Sequence, residues 1–222
     1  MRPDKRLTPT TLVLAIFSCL APFYADYALP LYNGLLVTCI ENAQALWLFF
    51  GCIFTLCFVY RARLTAGPKL FWLWAALWWL VLFGRSISWG RVYFPEEPRI
   101  LFRIISVLLI GALILSVVFS SGLRKEILHR LRNETVLVWT CVLVVITFLI
   151  SDSVEHHRYI AHFFLHNPAY QDLEEELYEI PFMVGLFCIS HNLMKRQRTA
   201  LSHCSNYAEK ETPAVACRDG NA

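Results

Sequence analysis

Six times between Thr10 and Lys195 the sequence runs for roughly 20 residues with few charges before Arg, Lys, Asp or Glu closes the run. A hydrocarbon layer of about 30 Å, at about 1.5 Å of rise per residue, needs roughly 20 residues of helix. The runs cover about Thr10–Ala28, Glu41–Tyr60, Leu70–Trp89, Leu101–Ser120, Thr135–Asp152 and Glu175–Lys195. Residues are 57% hydrophobic and only 17% charged, against roughly 45–50% and 25% in soluble domains. The chain therefore predicts an all-α integral membrane protein with six transmembrane helices.

The basic residues orient it. Arg2, Lys5 and Arg6 precede the first run, and Arg61, Arg63 and Lys69 follow the second. Arg124, Lys125, Arg130 and Arg132 follow the fourth, and Lys195, Arg196 and Arg198 follow the sixth. The segment after the first run has no Lys or Arg, and the one after the fifth has only Arg158. The positive-inside rule then places both the N-terminus and the C-terminus in the cytoplasm. The connection carrying Arg85, Arg91 and Arg99 dissents and is outvoted by its neighbours. The first run contains Pro22 and Asp26 and lacks a small-x-small cleavage pattern, so it reads as an uncleaved helix. Residues 1–194 form the predicted membrane domain. From Lys195 the chain is polar, carries Pro213 and Gly220, and is expected to be a disordered cytoplasmic tail over 195–222. Five of the eight cysteines lie inside apolar runs, and no C-x-x-C occurs, so no disulfide framework is expected.

This orientation gathers the ionisable residues of the runs at the outer side. Asp26 ends the first helix, Glu41 starts the second, Arg85 ends the third and Arg103 starts the fourth. Asp152 and Glu155 end the fifth, and Glu175, Glu176 and Glu179 start the sixth. Acids suit the N-termini of helices two and six, which leaves Arg85, Arg103 and Glu179 as the residues that imply a pocket of paired charges. On the third helix Trp74, Trp78, Arg85 and Trp89 fall within about 60° of one another. A guanidinium over an indole is favourable by about 0.5–2 kcal/mol, and Arg85 and Trp89 are one turn apart. Two arginines beside small hydroxyls, in "RSISWGR", suit a phosphate or carboxylate.

The "ISWGR" element at the end of a Trp-rich run resembles one found in uncharacterised bacterial multi-pass inner-membrane proteins. That resemblance covers about ten residues, implies location in a bacterial cell inner membrane, and carries no activity. An acidic residue or two is expected ahead of I-S-W-G in those proteins, where this chain has Arg85 and Ser86.

The stretch "SDSVEHHRYIAHFFLH", Ser151–His166, holds four of the seven histidines. If it is one continuous helix, Asp152, Glu155, His156, Tyr159, His162 and His166 span about 120° of a single face. His156, His162 and His166, with an acid from the sixth helix, then compose a candidate divalent-metal site. Ser, Asp and three His resemble the set used by membrane hydrolases of the ceramidase and adiponectin-receptor group. In that group, however, the ligands come from several helices deep in the bundle. Proton sensing by the same histidines is a third role.

The favoured reading is an accessory or binding protein whose outer-leaflet pocket holds a lipid headgroup or small anion. Arg85, Arg91 and Trp89 bind the ligand in this reading, and Asp152, Glu175 and Glu179 are the counter-charges. No cofactor and no nucleic-acid partner are expected. A metal-dependent membrane enzyme acting on lipid is the first alternative, and a small oligomeric transporter the second.

Overall fold

The computed structural model describes residues 2–26, 34–62, 64–90, 94, 96, 98–156, 163–165 and 167–211. Its elements are β1 (Arg2–Asp4), α1 (Pro9–Leu20), α2 (Phe23–Asp26), α3 (Leu35–Arg61), α4 (Ala66–Ser86), α5 (Arg99–Phe119), α6 (Ser121–Asn133), β2 (Thr135–Leu137), α7 (Val138–Glu155) and α8 (Gln171–Glu211). Short 3-10 turns occupy Ser88–Gly90 and Pro168–Tyr170. The described residues cluster into two units, 1–189 and 190–222, and within the second, residues 190–211 are helical.

Among the described residues, five helices are long and apolar enough to cross a membrane: α3, α4, α5, α7 and the stretch Pro168–Ser202. The first apolar run differs from the expected 20-residue span. Its helix α1 has 12 residues, a rise of about 18 Å. Pro22 lacks an N–H and its ring crowds the preceding turn; α1 closes with the Ala21 N–H donating to the Phe17 carbonyl, and α2 adds only four residues.

Outward-facing apolar side chains mark the surface that meets lipid. Ile100, Ile104, Val107, Leu108, Ile114 and Phe119 are all exposed on α5, as are Leu46, Phe49, Phe50 and Ile53 on α3. Water-soluble proteins rarely expose contiguous apolar patches larger than a few hundred Å², whereas hydrocarbon solvates such a surface without cost.

Because lipid is as apolar as leucine, helices there associate through close packing and interhelical hydrogen bonds. α3 and α4 pack on each other as an extensive hairpin. A Cβ at Gly51 would lie 2.9 Å from Cδ2 and Cε3 of the Trp79 ring, so only glycine lets α3 approach that indole. Trp79 joins Leu48, Cys52, Ala76 and Met183 in one buried cluster. Gly185 of α8 meets Val144 of α7 in the same manner. Trp72 and Trp79 are 1% and 5% exposed, while Trp78 is 43% exposed. The buried face of α4 therefore runs through Trp72, Ala76 and Trp79, not through Trp78 as the sequence reading had it.

The N-terminus is tied down by a feature the sequence did not announce. β1 pairs in parallel with β2, in the register Arg2↔Thr135, Pro3↔Val136 and Asp4↔Leu137. Thus α1 and α7 start at the same end, and the buried hydroxyls of Thr11 and Thr140 lie 2.8 Å apart between them. At that end also lies α6, started by Ser120, whose Oγ accepts the Leu123 N–H. Arg130 of α6 is buried. Its Nε donates to Glu126 Oε1 at 2.8 Å, and its guanidinium sits 4.2 Å from the Phe71 ring centroid and 5.4 Å from that of Trp72.

Two expectations about helix ends are corrected. α7 stops at Glu155 rather than continuing to His166. The Gln171 side chain supplies a reason, since its Nε2 donates to the carbonyls of Val154 and Glu155, occupying acceptors that further helix would use. Of the tail expected to be disordered over 195–222, residues 195–211 are helical as part of α8, and 212–222 lie outside the described residues. No glycine or proline interrupts 195–211, and Lys195, Arg196, Gln197, Arg198, Ala200 and Leu201 are good helix formers.

The Gly51 contact yields a test. Gly51→Val forces the Trp79 ring to move, and overpacking of this kind costs about 1–3 kcal/mol. The melting temperature of the detergent-solubilised protein should fall by several degrees. Gly111→Ala, where a new Cβ meets nothing within 4 Å, should leave it unchanged or slightly raised.

Candidate functional site

The ends of four helices converge on one cavity of about 260 Å³. From α3 come Glu41, Gln44 and Leu48, and from α4 Leu82, Arg85 and Ser86. Ser88 follows from the turn after α4, Phe148 and Glu155 come from α7, and Glu175, Glu176, Glu179, Phe182 and Met183 come from α8. The spacing explains the convergence. Glu41, Gln44 and Leu48 recur at intervals of three and four residues, as do Glu175, Glu179, Phe182 and Glu176, Glu179, Met183, so each set lies along one helical face. Polar groups sit near the helix ends and apolar ones a turn or two deeper.

The lining is rich in acidic side chains, five glutamates to one arginine. Among the described residues Arg85 has no ion-pair partner; it is exposed and shares the cavity with the acids. Gln44 braces the wall by donating from Nε2 to the Glu176 backbone carbonyl at 2.9 Å. Glu176 Oε2 is buried and makes no hydrogen bond among the described residues. An oxygen in that state is costly to keep charged unless a cation comes alongside.

The turn after α4 is strained. Ser88 and Trp89 have φ of 48° and 61°, in the left-handed region that non-glycine residues avoid, and Gly90 follows at 94°. Each such residue costs on the order of 1–3 kcal/mol, and strain of this kind gathers at functional sites. The turn brings Ser88 into the cavity wall and folds the Trp89 ring back onto Gly84, where a Cβ would lie 2.5 Å from Cζ3. Trp89 thus packs on α4 outside the cavity lining. Among the described residues the rings that carry a guanidinium are Phe71 and Trp72, under Arg130, and not Trp89 under Arg85.

Of the residues singled out from sequence, Arg85, Glu41, Glu155, Glu175, Glu176 and Glu179 meet in the cavity, and Arg103 is not in its lining. Asp152 does not line it; it sits beside His156, with Oδ1 3.7 Å from His156 Nδ1. Arg91, His162 and His166 lie outside the described residues. Ser86 and Ser88, the hydroxyls of "RSISWGR", line the cavity as well, whereas Gln44 and the apolar floor of Phe148, Phe182 and Met183 escaped the sequence reading. Gln44 had a signal, being one turn from Glu41, but an amide in an apolar helix carries no mark of its partner.

The proposed three-histidine face required α7 to continue, and α7 ends before it. What the end of α7 does assemble is Asp152, Glu155 and His156, whose ligand atoms all lie within 4.8 Å of one another. His156 Nδ1 is 3.6 Å from Glu155 Oε2. The spacing and donor types suit a divalent ion, but Glu155 and His156 are exposed and all three come from one helix end.

Arg85 is the only cation lining the cavity among the described residues, so Arg85→Ala leaves the five carboxyl groups there without a counter-charge. The variant should melt several degrees lower than wild type at neutral pH. Adding Glu175→Gln should restore part of the loss, because it removes one of the repelling charges. If the double variant is no more stable than Arg85→Ala, the two charges are not coupled through the cavity.

No protein-family model, no curated protein and no solved structure matches this chain, so the reading of the site rests on its own residues.

Proposed function

We propose that this protein is an accessory or binding protein of a bacterial inner membrane that holds a polar lipid headgroup in the charged cavity. One observation carries the reading: four helices each place charged or polar side chains at the same end, around one small cavity floored by apolar residues. Charged groups near hydrocarbon are costly, and such groups mark ligand or ion sites by default. Arg85, Ser86 and Ser88 supply an anion-binding side, with a guanidinium and two hydroxyls able to donate to phosphate oxygens. Five carboxylates oppose a simple free anion, which favours a headgroup that also carries positive charge.

In this proposal the cavity opens toward the outer leaflet and both termini are cytoplasmic, with α1 and α2 together making the first of six crossings. Supporting it, the basic residues Arg61, Arg124, Lys125, Arg130 and Arg132 belong to the helix ends opposite the cavity, the end where β1 pairs with β2. Reporter fusions after Arg132 and in the C-terminal tail should give cytoplasmic signals, and a fusion at Asn167 an external one. An internal signal at Asn167 would invert the arrangement.

The headgroup reading is tested by extracting and identifying lipid retained by the detergent-purified protein. About one phospholipid per chain is expected for wild type, and several-fold less for a variant combining Arg85→Ala with Ser88→Ala. Equal retention by both would overturn it. The Asp152, Glu155 and His156 cluster favours a second reading, a metal-dependent enzyme acting on lipid. One zinc or other divalent ion per purified chain, lost in His156→Ala, would favour that reading over the first.

A further inference from the structure

Resting on the headgroup reading above, we infer that the ligand is a phospholipid with a primary-amine headgroup. Its ammonium sits among the α8 carboxylates, and one acyl chain lies in an apolar groove that begins where the cavity ends. The groove, of about 230 Å³, runs between α3 and α8 and is lined by Ile40, Ala43, Trp47, Ile180 and Val184. Gln44 and Met183 line both the groove and the cavity, so the two share a wall. A free solute has use for the cavity alone, and a bulk acyl chain has use for the groove alone. Only an amphiphile fills both at once.

The order of groups along the wall matches such a molecule. The groove presents hydrocarbon, Gln44 stands at the junction, and beyond it lie Glu175, Glu176 and Glu179 with Arg85 and Ser88. A zwitterion satisfies both signs of charge: phosphate for Arg85 and Ser88, and an ammonium for the carboxylates. Glu176 Oε2 is buried and without a hydrogen bond among the described residues, so a nearby cation would stabilise its charged form. A primary ammonium brings three N–H donors for those oxygens, and a quaternary ammonium brings none. The cavity's volume also suits a headgroup rather than a drug-sized molecule, whose sites start near 300 Å³.

The experiment uses the full chain in a neutral maltoside detergent, titrated with phospholipids brominated on the acyl chain. Bromine quenches nearby tryptophan, and the Trp47 contribution is the difference between wild type and Trp47→Phe. Phosphatidylethanolamine should half-quench that contribution at a threefold or greater lower ratio of lipid to detergent than phosphatidylglycerol or phosphatidylcholine. Glu176→Gln should bring the three lipids close to parity while chain-dependent quenching persists, and Val184→Phe should weaken quenching by all three.

Equal quenching by the three lipids in wild type overturns the inference, since the groove then takes any chain without reading a headgroup. Soluble phosphoethanolamine separates this failure from that of the underlying reading. If it raises the melting temperature of wild type but not of Arg85→Ala while Trp47 is never selectively quenched, the headgroup cavity stands and the amphiphile inference falls. If neither quenching nor a melting shift occurs, both fall.

Discussion

A carboxylate near hydrocarbon must find water, a cation or a proton, and five of them line a single cavity here. That constraint organises one end of the molecule. Glu41 at the start of α3, Glu155 at the end of α7 and Glu175, Glu176 and Glu179 at the start of α8 lie where helices meet, not on the lipid-facing surface. Arg85 from the end of α4 supplies the opposing sign. The same convergence leaves Phe148, Phe182 and Met183 beneath the charges, so the cavity passes within two helical turns from an ionic mouth to an apolar floor.

The opposite end is held by different means. Arg130 is buried against Phe71 and Trp72 and bonded to Glu126, which docks the amphipathic α6 onto α4. β1 pairs with β2, and the hydroxyls of Thr11 and Thr140 meet between α1 and α7. Between the ends, glycines let helices approach bulky side chains: Gly51 against Trp79 and Gly185 against Val144. In lipid no hydrophobic force drives helices together, so close contacts and buried hydrogen bonds carry the association. The strained turn at Ser88 and Trp89 sits above a packed hairpin cluster whose Leu48 and Met183 also line the cavity.

The sequence by itself determined the class of protein, the places of five membrane-length helices and the end at which the acids gather. These follow from hydropathy and residue count, which are local quantities: an apolar stretch of the required length must be helical in lipid wherever it packs. The local rule that Pro168 disfavours helix at Asn167 also holds, since a 3-10 turn, Pro168–Tyr170, precedes α8. Tertiary structure decided what local pattern could not. Trp72 and Trp79 are buried and Trp78 is not, although all are tryptophans of one apolar helix, because only the neighbours α3, α6 and α8 define an inside. Gln171, seventeen residues beyond Val154, donates to a carbonyl at the end of α7, and β1 at the start of the chain finds β2 at Thr135–Leu137. Which face a side chain shows, and which distant group completes its bonding, depend on partners remote in sequence, and no single window of the sequence contains them.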